Sequence, residues 1–327
     1  MKLTISALQS GGLITNYYCS SACRHCLYRC SPKWPKDYIT LTTAGINLET
    51  IRRLGCRSIH IGGGEPLLQP DRLTGVLEAA GKTGVSVEYV ETNSSWFRNH
   101  GEACRILEML AKAGLQTLLV SISPFHNEFI PFYKVKGVLE ACRRVGIAVF
   151  PWVSGFIDDL NAFDGSTTHA LEEYEQRFGE TYCRTLPQRY WISPGGRALE
   201  LLRRFAPQKP VEQILATNRN RCAELAEVSH FHLDLYGHYI PGLCAGLSIS
   251  REDLGAPLDP EEYPILSRLS TGGIGAFWQY AAEQYGFQPS RPGYSSKCEL
   301  CYDIRRFLVQ EKGIHSKELQ PQEHYLL

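Results

Sequence analysis

The sequence predicts an α/β protein built on a parallel sheet, and three observations predict it. First, segments rich in β-branched and aromatic residues alternate with segments of helical periodicity. Second, residues at the strand ends recur at a steady step. Glu65 to Asn93, Asn93 to Ser123 and Ser123 to Ser154 are 28, 30 and 31 positions apart, about one βαβ unit of roughly 30 residues. Third, the polar and Gly-rich segments GGGEP, ETNS, SISPFH and VSGF all follow strands. Open α/β sheets and parallel barrels carry their sites on that C-terminal strand edge.

In chain order, strands are expected at 12–18, 58–61, 85–90, 117–121 and 147–153. Cys104, Leu107 and Ala111 mark an apolar helix stripe before the fourth strand, and Val138, Cys142 and Val145 another before the fifth. Their spacing by three and four is that of one helix face. Beyond residue 155 the rhythm blurs. Helices are expected at 168–178 and 197–205, with a sixth strand at 190–192 between them. Segments 231–236 and 238–243 read as a hairpin turning at Gly237. The change of character places a domain boundary near residue 215, giving a core at 1–214 and a smaller unit at 215–327. The tail after Gln310 is polar and is expected to be loosely held.

Composition sets limits on function. The 327 residues carry 34 Lys+Arg against 34 Asp+Glu, a formal net charge of zero. Nothing in that balance calls for nucleic acid or an anionic membrane surface. No apolar run approaches the roughly 20 residues of a membrane helix, and MKLTISALQSGG lacks the apolar region of a signal peptide. A cytoplasmic location is therefore expected. Twelve cysteines are many for a reducing compartment, where disulfides are rare. They point to buried thiols, metal ligands or catalytic groups.

Cys19, Cys23 and Cys26 form C-x3-C-x2-C on a loop after a strand. Three thiolates so placed can hold three irons of a cubane cluster and leave the fourth open. A zinc site or unrelated thiols are the plainer readings of this spacing alone. The stretch CSSACRHCLY resembles the cluster loop of radical S-adenosylmethionine (radical SAM) enzymes, with His25 where an aromatic residue is usual. Gly62-Gly63-Gly64-Glu65-Pro66 is similar to the family's Gly-Gly-Glu segment. The resemblance implies that Gly63, Gly64 and Glu65 hold the amino group of the methionine moiety. Asn93 stands in Thr-Asn-Ser where the family has Thr-Asn-Gly. Ser121 and Ser123 stand where the family contacts ribose, although Ser123 replaces a frequent Asp. Arg197 resembles a residue that pairs with a carboxylate of cofactor or substrate, or is an exposed arginine at a helix start. His126 faces the substrate or serves structure.

A second set comprises Cys222, Cys244, Cys298 and Cys301, spaced C-x21-C and later C-x2-C. Four thiolates close a site, as a cluster or as structural zinc. FHLDLYGHYIPGLC resembles the hairpin of SPASM and twitch extensions, which implies one auxiliary [4Fe-4S] cluster. Of the other cysteines, Cys56, Cys104 and Cys142 are expected in the core. Cys183 is unassigned, and Cys30 is expected to be a loop thiol rather than a spare ligand.

The resemblance implies a partial (β/α)6 barrel with a small C-terminal iron–sulfur domain. It implies an oxidoreductase that cleaves S-adenosylmethionine reductively to a 5′-deoxyadenosyl radical and takes hydrogen from a substrate. That substrate is a peptide or protein side chain or a small molecule; the early position of Cys19 weighs against a leader-dependent maturase. The electron donor expected is a flavodoxin or ferredoxin. The alternative function is that of a non-catalytic iron–sulfur redox or sensor protein.

Overall fold

The structure, a computed structural model, describes residues 2–327. Five strands alternate with helices through the first half. They run β1 (Gly11–Ile14), α1 (Leu41–Arg53), β2 (Ser58–Gly62), α2 (Pro70–Thr83), β3 (Ser86–Thr92), α3 (His100–Lys112), β4 (Thr117–Ser121), α4 (Pro124–Asn127), α5 (Phe132–Val145) and β5 (Ala148–Trp152). Each strand pairs in parallel with the next. Parallel neighbours need a crossover, and the helices supply it. Thr40 and Asn99 start α1 and α3 by accepting from the backbone N–H of Thr43 and Glu102, satisfying groups a helix cannot pair itself.

Five short helices follow: α6 (Ile157–Asn161), α7 (Leu171–Phe178), α8 (Tyr182–Arg189), α9 (Ala198–Arg203) and α10 (Val211–Thr217). The chain then returns to the sheet as β6 (Phe231–Leu233), β7 (His238–Ile240) and β8 (Ile249–Ser250). It closes with α11 (Pro264–Tyr285), α12 (Lys297–Gln310) and α13 (Glu323–Leu326). The eight strands form one sheet in the order β5-β4-β3-β2-β1-β6-β7-β8. Its edges, β5 and β8, do not meet, so the result is a partial barrel, open on one side.

Two strand expectations are corrected. Segment 190–192 is not a strand. The sixth parallel strand is β6, which adds beside β1 rather than beyond β5. The C-terminal segment contributes β6, β7 and β8 to the same sheet. The first strand also ends at Ile14 rather than residue 18, where Asn16 turns its side-chain amide back to the Tyr18 carbonyl.

The stripe on α3 is offset by one position. Ala103, Leu107 and Leu110 are buried, while Cys104 and Ala111 are half-buried. On α5, Val138 and Cys142 are buried as expected and Val145 is half-buried. Cys56 and Cys183 lie in the core. Among the described residues no helix is long and apolar enough to cross a membrane.

The tail is not loose. Leu319 and Tyr325 are buried, and Glu318 is completely buried. The Glu318 carboxylate accepts from the backbone N–H groups of Ile265 and Leu266 at 2.8–3.0 Å, at the start of α11. A carboxylate is favourable there because a helix N-terminus presents unpaired donors and positive potential. Glu318→Ala leaves those buried donors without a partner and should cost about 1–3 kcal/mol. Exposed Glu311→Ala should stay within about 0.5 kcal/mol. Urea denaturation of the two variants checks the difference.

Candidate active site

The loop between β1 and α1 carries Cys19, Cys23, Cys26 and Cys30. All four line one cavity of about 250 Å³. Its remaining walls come from the C-terminal ends of the strands. Gly63 and Gly64 follow β2, Glu91, Thr92 and Asn93 end β3, and Ser121 ends β4. The strand-end loops therefore converge as the βαβ rhythm requires.

The glycine run is first of all a packing requirement. Gly64 donates to the Asn16 carbonyl at 2.7 Å, and Glu65 donates to the Tyr18 carbonyl at 3.2 Å. A Cβ on Gly64 would run into the Tyr18 carbonyl. Only a glycine lets β2 come this close to the root of the cysteine loop.

Glu65 is completely buried, and its carboxylate is turned inward. It accepts from Asn93 N at 2.6 Å, from Thr92 Oγ1 at 3.0 Å and from Leu67 N at 3.1 Å. Burial pushes its pKa up to about 7 against these hydrogen bonds, which favour the charged form. Here Glu65 braces the ends of β2 and β3, and the surfaces turned to the cavity are Gly63 and Gly64.

Asn93 extends that brace to the cysteines. Its side-chain amide donates toward Cys19 Sγ at 3.4 Å and Ser21 Oγ at 3.3 Å. Ser21 N also donates to Cys19 Sγ at 3.4 Å. Burial nevertheless raises the Cys19 thiol to about 12, and it raises Cys23 as well. Such thiols lose their protons when a cation takes the proton's place.

Arg197 is half-buried and lines the cavity. Its guanidinium donates to the carbonyls of Cys23 at 2.9 Å and Cys30 at 2.5 Å, clamping the two halves of the loop. Ser123 is buried away from the cavity, and its hydroxyl meets His126 Nδ1 at 2.7 Å. His126 itself lines the cavity, held neutral by burial with its pKa down to about 4. Ser121 and His126 are thus the cavity-facing groups of that segment.

Cys30 is no isolated loop thiol. It is buried and shares a hydrogen bond with Cys26. That bond, with Arg197 nearby, lowers Cys26 to about 6 despite burial. In the metal-free chain Cys26 should therefore alkylate with a midpoint near pH 6. Cys30→Ala removes the main cause and should move the midpoint toward about 8.5. Iodoacetamide labelling across pH, read by peptide mass spectrometry, checks the shift.

The second set is also brought together. Cys222 precedes a short helical turn, Cys244 follows the β6–β7 hairpin, and Cys298 and Cys301 lie on α12. Burial, and charge on the other thiols of the set, raise Cys222 to about 12 and Cys298 to about 11. Two cations stand close, and sequence reading did not single them out. Lys297 adjoins Cys298 in sequence. Arg305 is buried and donates to the Ala245 carbonyl and the Tyr325 hydroxyl. Its charge favours the Cys244 thiolate. Sequence reading also passed over His60, on β2, and the pair His230 and His232, which stand just before and within β6.

Residues 13–158 match the family model of the Radical SAM superfamily. No curated protein matches the chain. Among solved structures it is similar to HydG, a maturase of the [FeFe]-hydrogenase, at 18% identity over 42% of this chain and 34% of that one, with a TM-score of 0.32. It is similar to anSMEcpe with bound AdoMet at 10% identity over 93% and 98% of the two chains, TM-score 0.46. It is similar to Streptococcus suis SuiB bound to the precursor peptide SuiA at 14% identity over 90% and 76%, TM-score 0.38. The chain thus spans about a third of the length of HydG. The segment holding the three-cysteine loop and the first five strands, residues 13–158, belongs to the radical SAM superfamily.

Proposed function

We propose that the chain is a radical enzyme that cleaves S-adenosylmethionine reductively and abstracts hydrogen from a substrate seated in the cavity. The observation that carries this reading is the convergence of Cys19, Cys23 and Cys26 with the strand-end segments on one cavity. Membership of the superfamily supports the chemistry. The donor set fits a cluster: three thiols on one loop, two N–H groups aimed at Cys19, and an arginine fixing the loop backbone. In this reading Cys19, Cys23 and Cys26 hold a [4Fe-4S] cluster with one iron left for S-adenosylmethionine. The chemistry supplied when both are bound is one-electron cleavage of the sulfonium carbon–sulfur bond, giving methionine and a 5′-deoxyadenosyl radical.

The protein's part is to bind, orient and exclude competing donors. Gly63 and Gly64 present backbone to the methionine amino group, with Glu65 fixing their position from behind. Ser121 and Asn93 offer polar groups from neighbouring strand ends. His126, neutral and oriented by Ser123, faces the substrate. The proposed reaction is a net oxidation, with a flavodoxin- or ferredoxin-type protein as electron donor.

Cys222, Cys244, Cys298 and Cys301 are proposed to hold an auxiliary [4Fe-4S] cluster, the place in this chain suited to receive the substrate's electron. Support comes from the thiols themselves, which lie close enough for charge on one to push the others up.

Two measurements test the reading. Anaerobically reconstituted protein should hold about eight irons per chain, and Cys19→Ala/Cys23→Ala/Cys26→Ala about four. The reduced protein, given S-adenosylmethionine and size-fractionated host extract, should release 5′-deoxyadenosine, and the triple variant should not. Release driven by the low-mass fraction identifies a small-molecule substrate, and release driven by the peptide fraction a peptide. No release from any fraction, with iron intact, overturns the enzyme reading in favour of a redox protein.

A further inference from the structure

Three histidines meet on the inner face of the sheet, and the mechanism above uses none of them. His60 lies on β2 and His232 on β6. Both are lateral neighbours of Gly12 on the intervening β1. Strands lie about 4.8 Å apart, so side chains from β2 and β6 normally have the side chain of β1 between them. Gly12 leaves that place empty, and a Cβ there would overlap the His60 imidazole. The two rings meet over the glycine, with Nε2 to Nε2 at 2.9 Å. His230 stacks on His60 at 5.3 Å between centroids. One nitrogen from each of the three rings lies within 4.8 Å of the others.

The cluster is supported from outside. His232 Nδ1 is hydrogen-bonded to the Tyr28 hydroxyl at 2.8 Å, which leaves Nε2 free to face the other rings. Tyr89 stacks flat on His60 at 5.1 Å. Such outer partners fix the orientation of metal-ligating imidazoles. A neutral imidazole offers one ring nitrogen lone pair to a cation. The Glu91 carboxylate stands 3.9 Å from His60 Nε2 and supplies a counter-charge.

We propose that His60, His230 and His232 bind a single divalent first-row transition-metal ion on the cavity side of the sheet. Three imidazoles are a usual ligand set for such ions and leave a coordination position open. His230, His232 and Glu91 line the same cavity as the cysteine loop, so the open position faces whatever occupies it. An oxygen or nitrogen donor of the substrate suits that position. The site does not rest on S-adenosylmethionine cleavage.

Zinc is the probe. The anaerobically reconstituted full chain is incubated with Zn²⁺, desalted, and assayed for zinc and iron, with X-ray absorption at the zinc edge. The expected result is one retained zinc per chain with nitrogen or oxygen neighbours at about 2.0–2.1 Å. His230→Ala, which changes the half-buried member, should lower zinc retention at least about tenfold with iron unchanged. Gly12→Ala, which leaves every ligand in the sequence but displaces His60, should do the same. No retained zinc overturns the site. So does zinc with sulfur neighbours at about 2.3 Å that His230→Ala leaves unaltered, since that ion sits on cysteines. Loss of S-adenosylmethionine cleavage with histidine-bound zinc retained would overturn the enzyme reading and leave this site standing.

Discussion

The buried Glu65 carboxylate is the joint on which the site depends. It has no basic side chain among its hydrogen-bond partners, and three donors take up its charge. Removing it would leave those donors without partners inside the protein, a larger cost than the net worth of the bonds themselves. Because the donors lie on the ends of β3 and on the turn after β2, Glu65 fixes one strand end against another. Asn93 carries that constraint to Cys19, and Gly64 and the Glu65 backbone carry it to Asn16 and Tyr18. Arg197 closes the frame from the opposite side by gripping the carbonyls of Cys23 and Cys30. The cysteine loop has no regular secondary structure, yet it is held at its root, middle and end.

This arrangement gives several motif residues a positioning task within the protein. A glycine next to a carboxylate reads from sequence as a ligand cradle. The structure shows that the glycine is needed first for backbone approach and the carboxylate for strand alignment. Ser123 likewise stands behind His126 instead of at the cavity wall. The motif's geometry is thus built in two layers, with Gly63, Gly64, Ser121, His126 and Arg197 lining the cavity and Glu65 and Ser123 behind them.

Much of the parallel sheet was legible in the sequence because each βαβ step repeats a local pattern, and local patterns leave a periodic trace. The cysteine spacings were legible for the same reason. What escaped sequence reading is long-range. Nothing local in Phe231–Leu233 says that it pairs with β1, and the rival segment at 190–192 is equally rich in aromatic and β-branched residues. The burial of the tail depends on Glu318 meeting the start of α11, a contact across 53 positions. The proximity of Cys30 to Cys26 depends on the loop's tertiary path, and the meeting of His60 with His232 depends on the strand order. Arg305 looks like an ordinary surface cation until the fold places it against a buried carbonyl and a buried thiol.

The placement of β6 has a further consequence for how the molecule forms. Gly11 pairs with Phe231, so one flank of the innermost strand stays unpaired until more than two hundred further residues have emerged. Contacts of such sequence separation slow folding, and an unpaired strand edge invites association with other chains. During synthesis the first five strands can assemble while the flank of β1 next to the cysteine loop is still open to solvent. The last strands to arrive then close that flank and bring their histidines to the cavity. Assembly order alone thus keeps the cysteine loop accessible from the β1 flank first and shuts that side once the C-terminal strands have docked.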